Sequence, residues 1–230
     1  MKRHLIKAFK VAFPYTIPIL AGFLFLGFAY GVYMRSLGFS PIYPMVMCFV
    51  IFAGSLEFLA GNILLGAFNP IQAFIVGFAV NARHIFYGLS LLEKYKNIGK
   101  KKFYMIYALC DETFSVNVSL EKIEGVKQED VYFAITILNQ SYWVLGSYLG
   151  ALLGSALPLN FQGIDFVMTA LFIVIFLDYL FKHRDYYSSA VGFILSVLSL
   201  IIFGKDNFII PAMVGIVVIF LSFRRNYDAT

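Results

Sequence analysis

"NARHIFYGLS" at residues 81–90 places an arginine beside a histidine inside a run that is otherwise rich in Phe, Ile, Val, Leu, Ala and Gly. An ionised side chain at the centre of a bilayer costs about 3 kcal/mol on insertion scales. Arg83 and His84 are therefore expected to face other polar groups, a partner chain or a hydrated cavity rather than lipid. Neighbouring apolar runs supply three carboxylates for that role, Glu57, Asp111 and Glu112.

The composition around this stretch is that of an integral membrane protein. Of the 230 residues, 60% are apolar and 13% are charged, and the mean hydropathy is +0.81. Soluble proteins are roughly half apolar and a quarter charged. The alternating pattern of a membrane β-barrel is absent, so the membrane spans should be helices. We expect an all-α fold, a polytopic membrane helical bundle.

A span needs about 20 apolar residues, which gives about seven or eight hydrophobic segments. The candidates are 13–34, 41–66, 70–92, 103–120, 131–157, 166–181, 187–203 and 208–223. The basic N-terminus is typical of a signal peptide, but Pro14 and Pro18 and the many later spans favour a retained first helix.

The net charge of +5 comes from basic residues next to apolar runs, which indicates a bilayer rather than a nucleic-acid partner. Cys48 and Cys110 lie inside apolar runs without metal-type or CxxC spacing, so neither a disulfide nor a zinc site is predicted. We predict no metal site and no cofactor.

Segments rich in Lys and Arg are expected on the cytoplasmic side, together with the N-terminus; they are 2–10, 93–102, 182–184 and 224–225. The net acidic segment 121–130 is expected on the outside. If every apolar run crossed the membrane once, the number of runs in each half of the chain would not match the sides assigned to the segments at its two ends. The arrangement therefore conflicts with the number of apolar runs once in each half.

An interrupted or re-entrant helix in each half resolves the conflict, and the choices are 41–66, with "FAGSLEFLAGN", and 131–157, with "LNQSYWVLGSYLG". Transporters often contain two repeats with one such helix each, so the chain is divided into candidate repeats 11–120 and 131–225. Small residues at four-residue spacing, which permit close helix contact, begin both halves: Gly27 and Gly31, then Gly146, Gly150 and Gly154. The alternative is that one basic loop disobeys the charge rule.

The runs 70–92 and 103–120 flank one short basic loop and are expected to form an antiparallel hairpin. Counted from the loop, His84 lies level with Asp111, and Arg83 with Glu112. Arg83 either grips a substrate carboxylate or forms an internal salt bridge. His84 either relays a proton or is a neutral hydrogen-bonding partner. One of the two carboxylates is assigned to Arg83 and the other to a proton or a substrate ammonium, with no indication of which.

The remaining candidate substrate ligands are Glu57 and three amides. If the helix breaks near Glu57, freed backbone groups can bind the charged ends of a substrate; otherwise Glu57 is buried against Arg83 in a kinked helix. The amides either line a cavity or join helices; they are Asn62, Asn81 and Gln140.

Four motifs carry a resemblance to a known family. "NARHIFYGLSL" resembles the N-x-R-H-x-x-Y-x-x-S motif of AzlC-type proteins, the larger subunit of bacterial branched-chain amino acid exporters. "DETFSV", "FAGSLEFLAGNILL" and "GIDFVMTALFIVIFLD" resemble further segments of that family, in the same order along the chain.

The resemblance implies a single integral membrane transporter domain over residues 1–230, in the bacterial cytoplasmic (inner) membrane. It implies export of branched-chain or other hydrophobic amino acids, together with a small AzlD-like membrane subunit. No nucleotide-binding motif is present, so ATP coupling would need another subunit and secondary transport is expected. The adjacent carboxylates Asp111 and Glu112 suit coupling to protons. Two alternatives stay open: an intramembrane acid–base enzyme using Asp111, Glu112 and His84, and a non-catalytic structural membrane subunit.

Overall fold

The computed structural model describes residues 2–66, 69–96, 98–154 and 186–204, with single residues and short pieces between 173 and 181 and between 208 and 220. The chain divides into two compact units, Met1–Phe74 with Arg83–Val167, and Ile75–Ala82 with Met168–Thr230. The candidate spans 166–181 and 208–223, the basic segments 182–184 and 224–225, and much of the proposed second repeat lie wholly or largely outside the described residues.

All regular secondary structure in the described residues is helical, as predicted. The helices are α1 (Lys2–Ser36), α2 (Ile42–Val50), α3 (Gly54–Leu65), α4 (Pro70–Asn81), α5 (Arg83–Ser90), α6 (Lys101–Tyr107), α7 (Asp111–Ser119), α8 (Gln128–Leu153) and α9 (Tyr186–Phe203). Two of them, over residues 4–36 and 186–203, are long and apolar enough to cross a bilayer.

The long helices α1 and α8 form the centre of the first unit and run in the same direction. Ala8 shares an apolar cluster with Val131 near the start of both helices. Near their ends, a Cβ placed on Gly154 would lie 3.2 Å from Val32 Cα. At 1.5 Å per residue, α1 is roughly 50 Å long and α8 about 39 Å, so both are long enough to cross a bilayer.

Glycines bring the backbones of α1 and α8 into direct contact. A Cβ on Gly31 would lie 2.0 Å from the Ser147 carbonyl oxygen, and one on Gly150 would lie 2.0 Å from the Phe28 carbonyl oxygen. No side chain fits at these distances. The small-residue spacing that the sequence shows in both halves therefore marks a real helix–helix contact, between the two halves.

The prediction of an interruption in the run 131–157 is wrong for the described residues, because α8 is continuous from Gln128 to Leu153. Several of its polar side chains form hydrogen bonds without opening the backbone. Ser141 and Ser147 donate hydrogen bonds to the carbonyl four residues earlier. Asn139 and Gln140 instead form hydrogen bonds to side chains of other helices.

The run 41–66 is interrupted, at residues 51–53 between α2 and α3. Tyr30 of α1 contacts Met47 of α2 and then Phe58 of α3. Asn62, further along α3, reaches back to Tyr33 of α1. The chain thus enters beside the end of α1, turns, and returns to the same end. We call residues 42–65 hairpin A; its helices of 9 and 12 residues, about 13 and 18 Å, are too short to cross a bilayer.

The run 103–120 is also interrupted, at residues 108–110 between α6 and α7. α6 begins with Lys101 paired to Asp130, at the start of α8. α7 ends where the Lys94 ammonium donates to the Leu120 carbonyl oxygen. We call residues 101–119 hairpin B. It enters and leaves at the opposite end of the unit from hairpin A.

The expected antiparallel hairpin of 70–92 with 103–120 is wrong, because both runs are interrupted. The run 70–92 is interrupted at Ala82, between α4 and α5. α5 and α7 then lie side by side in the same direction, as successive contacts show: Arg83 with Asp111, Tyr87 with Phe114, and Tyr95 with Asn117.

The start of α1 and the loops that precede α6 and α8 gather at one end of the first unit, which we call the basic end. The Lys7 ammonium donates to the Gly125 carbonyl oxygen at 3.0 Å, and Lys101 pairs with Asp130. The acidic segment 121–130 therefore lies at the same end as 2–10 and 93–102, which corrects its expected outside location. The run 103–120, rather than 131–157, is the one that turns back.

We predict that the glycine contact sets the stability of the first unit. Gly31→Ala should destabilise the full chain in detergent by about 1–3 kcal/mol, because overpacking forces the helices apart. Gly22→Ala is the matched control, because a Cβ there meets nothing within 4 Å. Thermal unfolding followed by size-exclusion chromatography measures both variants. Equal stability of the two would contradict the contact.

Candidate functional site

Glu57 lies in the first turn of α3, immediately after the interruption of hairpin A, and its side chain is fully buried. Its carboxylate accepts hydrogen bonds from the Ala53 backbone N–H and the Trp143 indole N–H, each at 3.0 Å. The Cys48 thiol lies 3.0 Å from Glu57 Oε2 and 3.0 Å from the Ser147 hydroxyl, so its one hydrogen serves either oxygen. We call these four side chains, Cys48, Glu57, Trp143 and Ser147, the Glu57 cluster.

The Glu57 cluster fixes the tip of hairpin A to the middle of α8. A buried carboxylate is costly unless its lone pairs are satisfied, and here donors from three elements satisfy it. The acidic side chain also suits the positive end of the α3 dipole. Phe52, within the interruption, has φ of 43°, a conformation that is strained for a bulky side chain. The neighbouring bond from Ala53 to Glu57 helps to hold the backbone in that shape.

Glu57 therefore does not contact Arg83, and the alternative of a kinked helix with these two residues paired is wrong. The expected break does occur, but over residues 51–53, directly before Gly54, rather than between Gly54 and Gly61. In this conformation the Glu57 carboxylate already accepts hydrogen bonds from the chain itself. The substrate-binding role of Glu57 stays a prediction.

Arg83 pairs with Asp111, through a hydrogen bond of 3.0 Å from Nε to Oδ1. The two side chains are 31% and 28% exposed, so the pair is partly open. Asp111 lies in the first turn of α7, where the helix dipole favours a negative charge. Arg83 begins α5, where the same effect disfavours a positive charge, and Asp111 offsets it. Of the two carboxylates that the sequence left open as its partner, the structure selects Asp111.

Glu112 and His84 lie beside this pair. Glu112 is half-buried in the first turn of α7 and forms no ion pair with the described part of the chain. The His84 ring packs edge-on against Tyr87 with 5.3 Å between centroids, and Tyr87 stacks on Phe114 at 4.3 Å. Their proton-coupling roles stay predictions. We call Arg83, His84, Asp111 and Glu112 the ion-pair cluster.

The three candidate amides have different surroundings. Asn62 donates to the Tyr33 hydroxyl at 2.8 Å, and so joins α3 to α1. Asn81 belongs to the second unit and donates to the Gly77 carbonyl oxygen within α4. Gln140 accepts a hydrogen bond from the Tyr104 hydroxyl, between hairpin B and α8. The structure thus brings Gln140 to a hairpin tip and uses Asn62 as a link between helices.

Several polar residues of the site were missed by the sequence reasoning. The fully buried Asn139 donates to the Thr113 hydroxyl at 2.9 Å, one turn of α8 away from Trp143. Trp143, which was not among the candidate residues, donates its indole N–H to Glu57. The polar string "NQS" within the run 131–157 was a signal, but its interpretation needed the hairpins that approach α8.

Residues 139–147 of α8 thus contact the tips of both hairpins, A through Trp143 and Ser147 and B through Asn139 and Gln140. Short helices that meet at mid-length of a bundle leave backbone groups and charges in its interior, the arrangement in which transporters place substrate sites. In the part of the chain that the structure describes, no three His, Cys, Asp or Glu side chains are grouped to hold a metal ion.

The sequence profile of the AzlC protein family matches residues 18–157, which contain both hairpins and all of α8. A Bacillus subtilis relative, named branched-chain amino acid transport protein AzlC, is 54% identical over 95% of this chain and 86% of its own length. An uncharacterized membrane protein of Haemophilus influenzae is 44% identical over 91% of this chain and 86% of its own length. The inner membrane protein YgaZ of Escherichia coli is 27% identical over 69% of this chain and 67% of its own length. No solved structure matches the chain.

Removal of the Glu57 carboxylate should free the tip of hairpin A. Glu57→Ala leaves buried donors without an acceptor, and we expect a loss of roughly 3 kcal/mol in unfolding free energy. Glu93→Ala is the control, since the Glu93 side chain is 84% exposed and its pairing with Lys96 is worth less than about 1 kcal/mol. Unfolding of the detergent-solubilised chain measures both; similar losses would argue against the Glu57 cluster as the anchor.

Proposed function

Because the chain belongs to the AzlC family, we propose that it is the larger subunit of a secondary transporter. Its substrates are branched-chain or other hydrophobic amino acids, which it exports across the bacterial cytoplasmic membrane. The name of the Bacillus subtilis relative, branched-chain amino acid transport protein AzlC, supports this substrate class. The high identity to that relative over nearly the whole chain makes a shared transport function the simplest expectation.

The observation that carries the proposal is the meeting of two short-helix hairpins, from opposite ends, at residues 139–147 of α8. In a bilayer both hairpins would be re-entrant, and their tips would lie near mid-membrane. Re-entrant segments can move against a rigid helix pair and open a central site to one side at a time. The α1–α8 contact, made directly between backbones, supplies that rigid pair.

The ion-pair cluster supplies the charges that such a cycle needs. Arg83 holds Asp111 in this conformation and exchanges it for the substrate carboxylate in another, since a guanidinium binds either carboxylate. The released Asp111, with Glu112 and His84 beside it, takes up a proton. Inward proton movement through these groups drives outward movement of the amino acid. The chain binds and moves its substrate without catalysing a chemical reaction.

The orientation of the chain in the membrane follows from the basic segments gathered at the basic end. Segments 2–10 and 93–102 face the cytoplasm under the charge rule, and with them the N-terminus and segment 121–130. With 41–66 turning back on itself, two apolar runs remain between 10 and 93, as that orientation requires. The name of the Escherichia coli relative, inner membrane protein YgaZ, supports an inner-membrane location. The small AzlD-like subunit implied by the sequence motifs completes the complex.

We predict that transport requires the Arg83–Asp111 pair in its charged form. The full chain and the AzlD-like subunit are reconstituted in proteoliposomes, and counterflow of labelled leucine, isoleucine, valine and methionine is measured. Asp111→Asn and Arg83→Gln should each lower the rate at least about tenfold, which is the effect of some 1.4 kcal/mol. Glu93→Gln, at an exposed carboxylate, should leave the rate unchanged.

The double variant Arg83→Gln with Asp111→Asn separates transport from a purely structural role. If the pair only holds α5 against α7, removal of both charges should restore the rate, since neither charge is left unpaired. Under the proposed cycle the double variant inserts and folds but stays inactive. Absence of counterflow for all four amino acids with the unaltered complex would contradict the proposed function itself.

A further inference from the structure

The Glu57 cluster contains a row of close polar contacts. The Cys48 sulfur lies 3.0 Å from Glu57 Oε2 and 3.0 Å from the Ser147 hydroxyl oxygen. That hydroxyl oxygen lies 2.8 Å from the Trp143 carbonyl oxygen. Each of these three contacts joins two atoms that can accept a hydrogen bond, and at such distances the two atoms repel unless a hydrogen lies between them.

The row needs one hydrogen more than its thiol and hydroxyl supply. Cys48 and Ser147 contribute one hydrogen each, and the Trp143 carbonyl oxygen contributes none. The Ala53 N–H and the Trp143 indole N–H point at the carboxyl group from outside the row. The third hydrogen therefore belongs to Glu57. Its Oε2–H then donates to the Cys48 sulfur, and the thiol in turn donates to Ser147.

The surroundings of Glu57 offer no positive charge to an ionised carboxylate. The salt bridges in the described part of the chain use other acidic residues. The titratable groups that interact with it from neighbouring elements are the Cys48 thiol of α2 and the phenols of Tyr30 of α1 and Tyr107 of α6, none of which can become positive. The α8 members of the cluster do not titrate. Since Glu57 is fully buried, a charge there would lack both water and a counter-ion, whereas a neutral carboxyl needs only hydrogen bonds.

We propose that Glu57 is a proton-binding site: it holds a proton between Oε2 and the Cys48 sulfur while hairpin A is closed against α8, and it releases the proton to water when the tip of the hairpin opens. A hydrated carboxyl is ionised at neutral pH, whereas the closed cluster provides an acceptor for the proton and nothing to offset the charge. Proton binding and closure therefore stabilise each other, so lower pH favours the closed tip.

The position of this proton connects it to the movement of hairpin A. Glu57 Oε1 accepts from the Ala53 N–H, and the preceding residue, Phe52, has the strained φ of 43°. Trp143 packs against the same turn, since a Cβ on Gly54 would lie 3.0 Å from its ring. Hydration of an ionised Glu57 separates the carboxylate from this contact and lets the strained backbone relax. The part of this site in transport rests on the proposed function, to which it adds a second proton beside that of the ion-pair cluster.

Infrared spectroscopy of the full chain in detergent tests the proton directly. A protonated carboxyl and a carboxylate have separate C=O stretching bands, and the first shifts when its hydrogen is exchanged for deuterium. At about pH 7, Glu57→Gln should lose the protonated band of one carboxyl. Glu93→Gln, the same change at an exposed side chain, should keep the whole band. A folded Glu57→Gln variant with the full band would overturn the proposal.

Trp143 supplies a second measurement on the unaltered chain, because it is the only tryptophan in the sequence and its indole N–H donates to Glu57. As the pH is raised from about 6 to about 10, its fluorescence should shift to longer wavelength, because Glu57 ionises and water enters the tip. The protonated band should disappear over the same pH range. Emission that is constant with pH, or that titrates equally in Glu57→Gln, would contradict the proposal.

Ser147→Ala keeps the proposal testable if Glu57→Gln fails to fold. Without the Ser147 oxygen the thiol donates to Glu57 instead, so the proton is held less tightly. The pH midpoint of both signals should fall by about one unit, the effect of roughly one hydrogen bond. Ser141→Ala is the matched control, since this exposed serine of α8 also donates to the carbonyl four residues earlier but lies outside the cluster. A midpoint that Ser147→Ala leaves unchanged would place the titrating group elsewhere and overturn the assignment.

These measurements contain no amino acid, so they distinguish the proton site from the function that it serves. If the unaltered complex transports leucine and the protonated band of Glu57 is absent, the proton site is wrong while the transport function stands. If the band and the Trp143 emission titrate as expected and the complex transports no hydrophobic amino acid, the proton site stands and the transport function is wrong.

Discussion

The direct contact between the backbones of α1 and α8 is the constraint on which the rest of the first unit depends. Water is absent from the bilayer interior, so close packing, rather than the hydrophobic effect, must hold helices together there. Glycines on both helices permit that packing, since a Cβ on Gly31 or Gly150 would lie 2.0 Å from a carbonyl oxygen of the other helix. Hairpin A then lies against the later halves of α1 and α8, and hairpin B against the earlier half of α8.

The interrupted helices explain how charged residues are tolerated in such an apolar chain. Each interruption within 41–66, 70–92 and 103–120 is followed within one turn by an ionisable residue: Glu57, Arg83 or Asp111. A helix start offers backbone N–H groups and a positive dipole end, which suits Glu57 and Asp111. Arg83 has the wrong sign for its position and is offset by Asp111. Opened backbone and buried charge therefore stabilise each other, and the polar interior is built at the helix ends.

Much of this could be predicted from the sequence, because composition and periodicity act locally. The all-helical fold and the break in 41–66 follow from residues near each other in the chain, and the glycine spacing showed that close helix contact was permitted without showing which helices meet. The breaks at Ala82 and Ala108–Cys110 were missed because no Pro lies near either break, and Ala favours a continuous helix. The choice of 131–157 as interrupted failed for the opposite reason, since its polar residues bond to other helices.

The partners in the site were beyond sequence reasoning because they join distant segments. Trp143 and Glu57 are 86 residues apart, and Asn139 and Thr113 are 26 apart. The equal count from the loop placed Arg83 level with Glu112, whereas the structure pairs Arg83 with Asp111. That count assumed that the runs 70–92 and 103–120 form two continuous antiparallel helices. The assumption fails because both runs are interrupted. The direction of hairpin B depends on Lys101, Asp130 and Lys94, whose meeting only the fold reveals.

The central claim is that both hairpins turn back, so that segments 93–102 and 121–130 lie on one side of the membrane and the loop between α1 and α2 lies on the other. Single cysteines at Lys96, Glu124 and Ser40, all exposed, test it most directly, in a background with Cys48 and Cys110 replaced by serine. An impermeant maleimide applied to sealed, oriented vesicles should label Lys96→Cys and Glu124→Cys from the same side and Ser40→Cys from the other. Labelling of positions 96 and 124 from opposite sides would contradict the account.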